Sequence, residues 1–322
     1  MKWPSKKNQY AYSISMHKEV VHIAILKAVN TPVPPEQVIE WRNRQWELMV
    51  NDDIDVVNED VPAALSRLLK RYEKFTTKNQ PLQLVLGCDL TQEVSVEKPA
   101  LADEEIAAAL QWTLKDLVSI PATDIIADFY DLPVQASGGK KIQVVAASRA
   151  FLQPLLNILH EAQFDIHGIV NSTLAFSRWF DEGEQLVVLT QSLRSVNQLQ
   201  IISHNQLILS RELNRIKPLD AITLDDTYEL DALALEVQRS LDFYTGQLRQ
   251  APLAEICIAT GHSEAESIVA NLAAQLGLQS SVLLYPEWAR ELKNNGFSDL
   301  EVLSGLLWLT HVAEVENKEV VA

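Results

Sequence analysis

Two stretches of this chain have the strand-turn-strand pattern that lets a protein wrap its backbone around phosphate, and both lack glycine, which that chemistry needs. Ala11–Ser15 and Val20–Leu26 alternate as a β-hairpin with His17–Glu19 at the turn. Leu186–Leu189, Leu199–Ser203 and Gln206–Arg211 repeat the theme as an antiparallel set. Glycine allows a turn to press its N–H groups against phosphate oxygens. Yet the first 86 residues contain none, and neither does the stretch from Glu184 to Thr245. The other reactive side chains are no better placed. The seven histidines show no H-x-x-x-H or H-E-x-x-H spacing, and Cys88 and Cys257 lie far apart, so no zinc or disulfide framework is expected. There is no G-x-S-x-G elbow and no P-loop. The acidic group Asp225, Asp226, Glu229 and Asp231 reads as a solvated loop leading into a helix. Glu236 and Arg239 are spaced for a surface ion pair.

The elements that would position these residues follow from periodicity. Thr31-Pro-Val-Pro-Pro35 breaks the chain, and Glu36–Val50 and Val61–Phe75 then read as helices around the acidic stretch Asn51–Asp60. Leu82–Leu86 is a buried strand. Leu101–Ile120 is a helix with carboxylates in its first turn and Ile106, Leu110, Leu114 and Leu117 at helical spacing, ended by Ile120-Pro121. Gly138-Gly139 turns into strand Ile142–Ala147, and the helix Phe151–Ala162 follows, with Pro154 expected in its first turn or at a kink. In the second half, Leu230–Leu248 is an amphipathic helix. Strand Glu255–Ala259 leads through Thr260-Gly261 to a helix with a capping box, Ser263 and Glu266, that stops at Gly277. Strand Ser281–Leu284, helix Leu300–Val312 and a loose tail complete the chain. Hairpins feeding strands and helices, twice over, predict an α/β protein with two similar halves.

Composition narrows the function classes. A formal net charge of -16 over 322 residues is the opposite of a nucleic-acid footprint. Lys2, Lys6 and Lys7 form too short a basic run to anchor the chain to a membrane. No apolar run reaches the roughly 18–20 residues needed to span a bilayer, and Met1–Ser13 lacks a signal-peptide core, so cytosol is the expected compartment and both thiols are expected to be reduced.

Four segments then carry a resemblance. LADEEIAAALQWTLKDLVSIPATDIIADFYDLP (Leu101–Pro133) is similar to the inserted subdomain of the actin-like proteins of type IV pilus assembly, the PilM class. IQVVAASRAFLQPLLNILHEAQF with VNSTLAFSRWF resembles that class's strand-helix and Ala-rich helix. ELDALALEVQRSLDFY resembles its second-lobe helix, and ICIATGHSEAESIVANLAAQLGL with VLSGLLWL its closing segments. Within the class, the likeness is nearest the MshI branch, which serves the mannose-sensitive haemagglutinin (MSHA) pilus. The resemblance implies an actin-like (ASKHA, RNase H-like) α/β fold. It places the first lobe at 8–178 with an inserted subdomain at about 86–148, the second lobe at 184–313, and a loose tail at 314–322. It also implies a cytoplasmic protein held peripherally at the inner membrane by a PilN-like partner. That partner's N-terminal segment would lie in a groove near the inserted subdomain, and the pilus assembly ATPase would be a further contact.

Nucleotide-binding relatives carry Gly-Ile-Asp-Ile-Gly in the first hairpin, which falls here on Ser13-Ile14-Ser15-Met16-His17. Ser15 replaces the metal-coordinating Asp, and the His17 imidazole fills the place of the second Gly. The second hairpin's Asp-x-Gly falls on Thr190–Ser192, with neither residue kept, and the adenosine-side Gly-Gly falls on Thr260-Gly261. The expectation is therefore a scaffold with no catalytic residue, no metal and no cofactor. The alternatives are an ATP-binding switch in the same machine and the cytoplasmic domain of a GspL-type secretion platform. Among the tryptophans, Trp112 lies off its helix's apolar stripe and is the expected interface anchor. By family analogy, Asp128 and Tyr130 are expected near the same groove.

Overall fold

The computed structural model describes residues 9–136, 138–191, 196–290 and 297–319. Strands β1 (Tyr10–Met16) and β2 (Val20–Ala28) form the expected hairpin, with Tyr10 opposite Lys27 and Met16 opposite Val21. The alternation of β1 assigns its two faces: Tyr12, Ile14 and Met16 enter one core, while Ala11 enters another on the opposite side, the side shared by Ser13 and Ser15. Where a helix was expected over Glu36–Val50, the chain instead makes a short 3-10 turn, then β3 (Ile39–Trp41) and β4 (Arg44–Asp55). The turn between these strands uses Arg42 and Asn43, both left-handed with φ of 51 and 56 degrees, as a tight two-residue hairpin needs. The buried residues of β4 are Trp46, Val50 and Ile54. A bulge opposite Ile25–Leu26 switches the faces of the strand, so Trp46 buries on the α8 side and Val50 and Ile54 on the other. The resulting four-residue recurrence imitates a helix face, which is why periodicity misread it.

Helix α1 (Val61–Arg71) starts at Asp60, whose carboxylate accepts from Ala63 N at 2.8 Å. Strand β5 (Pro81–Leu86) lies parallel to β1. The chain then leaves the sheet to build β6 (Thr91–Glu97), α2 (Asp103–Thr113), β7 (Ile125–Asp131) and β8 (Lys141–Ser148), a three-stranded antiparallel sheet in the order β6-β8-β7. Helix α2 covers it through Ile106 and Leu110 and is shorter than expected, ending at Thr113. Helix α3 (Arg149–Glu161), strand β9 (Asp165–Asn171) and α4 (Ser172–Phe176) return to the first sheet, whose order is β3-β4-β2-β1-β5-β9. Pro154 lies in the second turn of α3, and the helix carries through it.

The second lobe holds β10 (Gln185–Gln191), β11 (Asn197–Ser203), β12 (Gln206–Glu212), α5 (Thr227–Asp242, continued by a π turn over Phe243–Gln247), β13 (Glu255–Ala259), α6 (Ala265–Leu276) and β14 (Gln279–Val282). Its sheet order is β12-β11-β10-β13-β14. The capping box of Ser263 and Glu266 is not formed: Glu264 is the N-cap of α6, and its N–H is taken by His262 Nδ1 at 2.9 Å. Gly277 ends α6 with a φ of 69 degrees, as a C-cap glycine does.

After the short α7 (Glu287–Arg290), helix α8 (Leu300–Glu319) crosses back to the first lobe. It continues past Glu314, where a loose tail was expected. Its Val302, Leu303, Leu306 and Leu309 bury against Ala11, Ala24, Trp41 and Trp46. Gly305 allows the approach, since a Cβ there would strike Ser13 Oγ and Val85 of the sheet. Phe176, Phe180 and Leu300 in turn pack against Leu186, Val188 and Ile202, which joins the two lobes through one apolar cluster.

Candidate functional site

The first hairpin turn is filled. His17 follows Ser13 and Ser15 on the α8 face of β1, and its side chain is only 1% exposed. Its Nδ1 donates to Asp89 Oδ1 at 2.9 Å, from the loop after β5, and its Nε2 donates to Glu301 Oε2, in the first turn of α8. The second oxygen of Asp89 accepts the Lys18 N–H at 2.9 Å, so the turn is held through backbone as well as side chain. Gly87 makes room: a Cβ on it would overlap the His17 ring. Burial alone would lower the imidazole pKa, but the charges of Glu301 and Asp89 and the hydrogen bonds to them prevail and raise it from 6.5 to about 10. Asp89 answers in the opposite sense. Burial works to raise its pKa, and the hydrogen bond and charge of His17 hold it below the usual carboxylate range. His22, on β2 opposite Ser15, is pushed down to about 4 by burial and stays neutral.

The remaining nucleotide-type positions hold no charge for a metal. Ser13 and Ser15 are buried, and their hydroxyls have no hydrogen-bond partner among the described residues. Thr190, next to last in β10, faces a narrow gap between the lobes, lined by Phe176, Gln200, Glu301 and Ser304, with a volume of about 20 Å³. Ligand sites run to roughly 300–1,000 Å³, so this gap does not fit a magnesium nucleotide. Ser192 lies outside the described residues. Thr260 is buried, its Oγ1 accepting from His262 N at 3.4 Å, and it lines no part of the gap. Gly261 sits in an exposed turn and is not among the left-handed glycines, so it behaves as a strand-to-helix connection.

A larger concavity lies elsewhere. A groove of about 590 Å³ runs between the inserted sheet and the first lobe. One wall is Ile126–Tyr130 of β7 and the other is His167–Asn171 of β9, each a run of consecutive residues. Consecutive residues line a wall when a strand presents its edge, and β7 and β9 are the terminal strands of their sheets. Ile126 and Ile169 are 36% and 43% exposed, and Trp308 and Leu309 of α8 form the floor. Asp128 and Tyr130 therefore do meet in one groove. Burial raises the Tyr130 phenol pKa far above its usual value, keeping it a neutral hydroxyl. Trp112 is not brought to them: it projects from α2, 69% exposed, and is not part of the groove lining. Sequence reasoning missed Ile169, Trp308, Asp89 and Glu301. Their sequence signals, a strand isoleucine, a helix tryptophan and two common acids, are indistinguishable from core and surface.

Two sheets joined by α4 and α8, each beginning with an antiparallel hairpin, with a small sheet inserted in the first, define an actin-like fold. Among solved structures, the chain is similar to the PilM-PilN type IV pilus biogenesis complex, with a TM-score of 0.63 at 16% identity over 93% of this chain and 98% of the other. It is also similar to a Bacteroides thetaiotaomicron protein of actin-like ATPase fold and unknown function, with a TM-score of 0.53 at 12% identity over 94% and 98% of the chains. The cytoplasmic domain of EpsL, an inner-membrane component of the Vibrio cholerae type II secretion system, matches at 0.47 and 15% identity over 93% and 94%. No protein family and no curated protein matches the sequence.

Proposed function

We propose that this chain is a cytoplasmic scaffold of a type IV pilus assembly platform, of the MSHA (MshI-like) branch, and not an enzyme. It captures the N-terminal segment of a PilN-like inner-membrane protein in the groove between β7 and β9. That contact holds it at the membrane; among the described residues no helix is long and apolar enough to cross one. The observation that carries this reading is the contrast between a 590 Å³ groove flanked by two sheet edges and a first hairpin turn filled by buried His17, with only a 20 Å³ gap beside Thr190. Free edges offer backbone N–H and C=O groups to an extended peptide, and exposed Ile126 and Ile169 offer apolar contact beside them. The likeness to a PilM-PilN complex supports the choice of partner. An ATP-driven switch in the same machine would need the interlobe gap to open and His17 to leave the first hairpin turn.

The test is a fluorescence-anisotropy titration of a labelled peptide corresponding to the cytoplasmic N-terminus of the PilN-like protein. Saturable binding is expected, weakened about tenfold or more by Ile169→Asp and little changed by Trp112→Ala. Binding indifferent to Ile169, or none, would refute the groove assignment.

A further inference from the structure

One helix links the filled hairpin to the groove. Glu301, in the first turn of α8, receives the His17 imidazole, and Trp308 and Leu309, two turns later, form the groove floor. Seven helical residues span about 10 Å, and over that length a helix moves as a rod. The contacts along the rod tie it to its surroundings. Asp299 accepts from Asn51 Nδ2 at 2.5 Å and from the Tyr285 hydroxyl. Ser304 Oγ accepts from Trp179 Nε1 at 2.6 Å, and Gly305 seats against Ser13 and Val85. At the groove end the Arg178 guanidinium lies 4.9 Å over the Trp308 ring and donates to Asn205 O and Oδ1, in the β11–β12 turn of the second lobe. The place of Trp308 is therefore set relative to both lobes by α8, and α8 is held at its start by a charge-assisted hydrogen bond to His17.

We propose that His17 and Glu301 are positioning residues for the partner groove: their contact, in the turn where the fold would otherwise bind phosphate, fixes the axial position of α8 and with it Trp308 and Leu309. The residues that displaced the nucleotide chemistry thus keep the groove permanently formed. This rests on the groove being the peptide site, and the experiment separates the two claims. The full-length chain is compared with His17→Gln, Glu301→Gln and the double variant by amide hydrogen exchange without peptide, and then by anisotropy with the PilN-type peptide. Glu301→Gln removes only a charge, so it keeps the test open should His17→Gln fail to fold. Each single variant is expected to speed exchange of α8 amides through Leu309 about tenfold while α1 and α6 exchange as before. Each should weaken the peptide about five- to twentyfold, and the double variant should be no worse than the singles, as a shared contact requires. Folded variants with unchanged α8 exchange overturn the proposal, and so do variants with faster α8 exchange but peptide affinity within about twofold of the parent. A parent chain that does not bind the peptide would refute the groove reading instead, and the exchange data would still decide whether His17 places Trp308.

Discussion

The imidazole of His17 is worth following as a titrating group. Its pKa in the folded chain is about 10 against 6.5 ordinarily, so it binds a proton more tightly folded than unfolded. The stability it contributes is complete below about 6.5 and is lost as pH rises through about 10. The groups facing it are Asp89 from the loop after β5, Glu301 from α8 and neutral His22 from β2. Urea unfolding should show the parent losing stability between neutral pH and pH 10 to 11, while His17→Gln, already about 3 kcal/mol weaker at neutral pH, loses less over the same interval. A parallel decline of both proteins would contradict the pairing. The sequence exposes the oddity of a histidine at this turn, but not its partners. Asp89 is 72 residues away and Glu301 is 284, and only the folded chain brings three elements together there.

At the scale of elements, legibility followed ambiguity of period. Strands β1, β2, β5, β10, β11 and β13 could be read because their apolar runs are short and bounded by turns. Strand β4 could not, because a bulge switches its faces between Trp46 and Val50, and the buried residues Trp46, Val50 and Ile54 then recur every four positions as they would on a helix. The cap of α6 failed for a different reason: the helix starts one residue later, with Glu264 as its N-cap and the Glu264 N–H taken by the His262 imidazole. The structure makes β4 a specific claim: Trp46 is 2% exposed, packs tilted against Trp41 with ring centroids 5.3 Å apart and donates its Nε1–H to Trp41 O at 3.0 Å, under α8. Trp46→Ala should therefore cost about 3–5 kcal/mol, measured by chemical denaturation, as expected for a core aromatic. A cost below about 1 kcal/mol would mean the residue sits on an exposed helix face after all.

For the molecule as a whole, the groove and the filled gap are two consequences of one arrangement. The inserted sheet ends in β7, the first-lobe sheet ends in β9, and α8 crosses beneath both on its return from the second lobe. The two-lobed α/β plan was legible because hairpin and helix patterns recur in each half. Asp128 and Tyr130 were within reach only through family resemblance, and Trp112 was misplaced because exposure on a helix does not say which concavity lies beside it. A groove made of two sheet edges and a distant helix has no local signature. The central claim is that the phosphate-binding centre of this actin-like fold has been replaced by a structural triad and the chain works by binding alone. Calorimetric titration with Mg-ATP, carried to millimolar nucleotide with a thermal melt at each end, tests it most directly. The account predicts no saturable heat and no shift in Tm; saturable binding with stabilisation would mean that His17 yields its place to phosphate, and would contradict it.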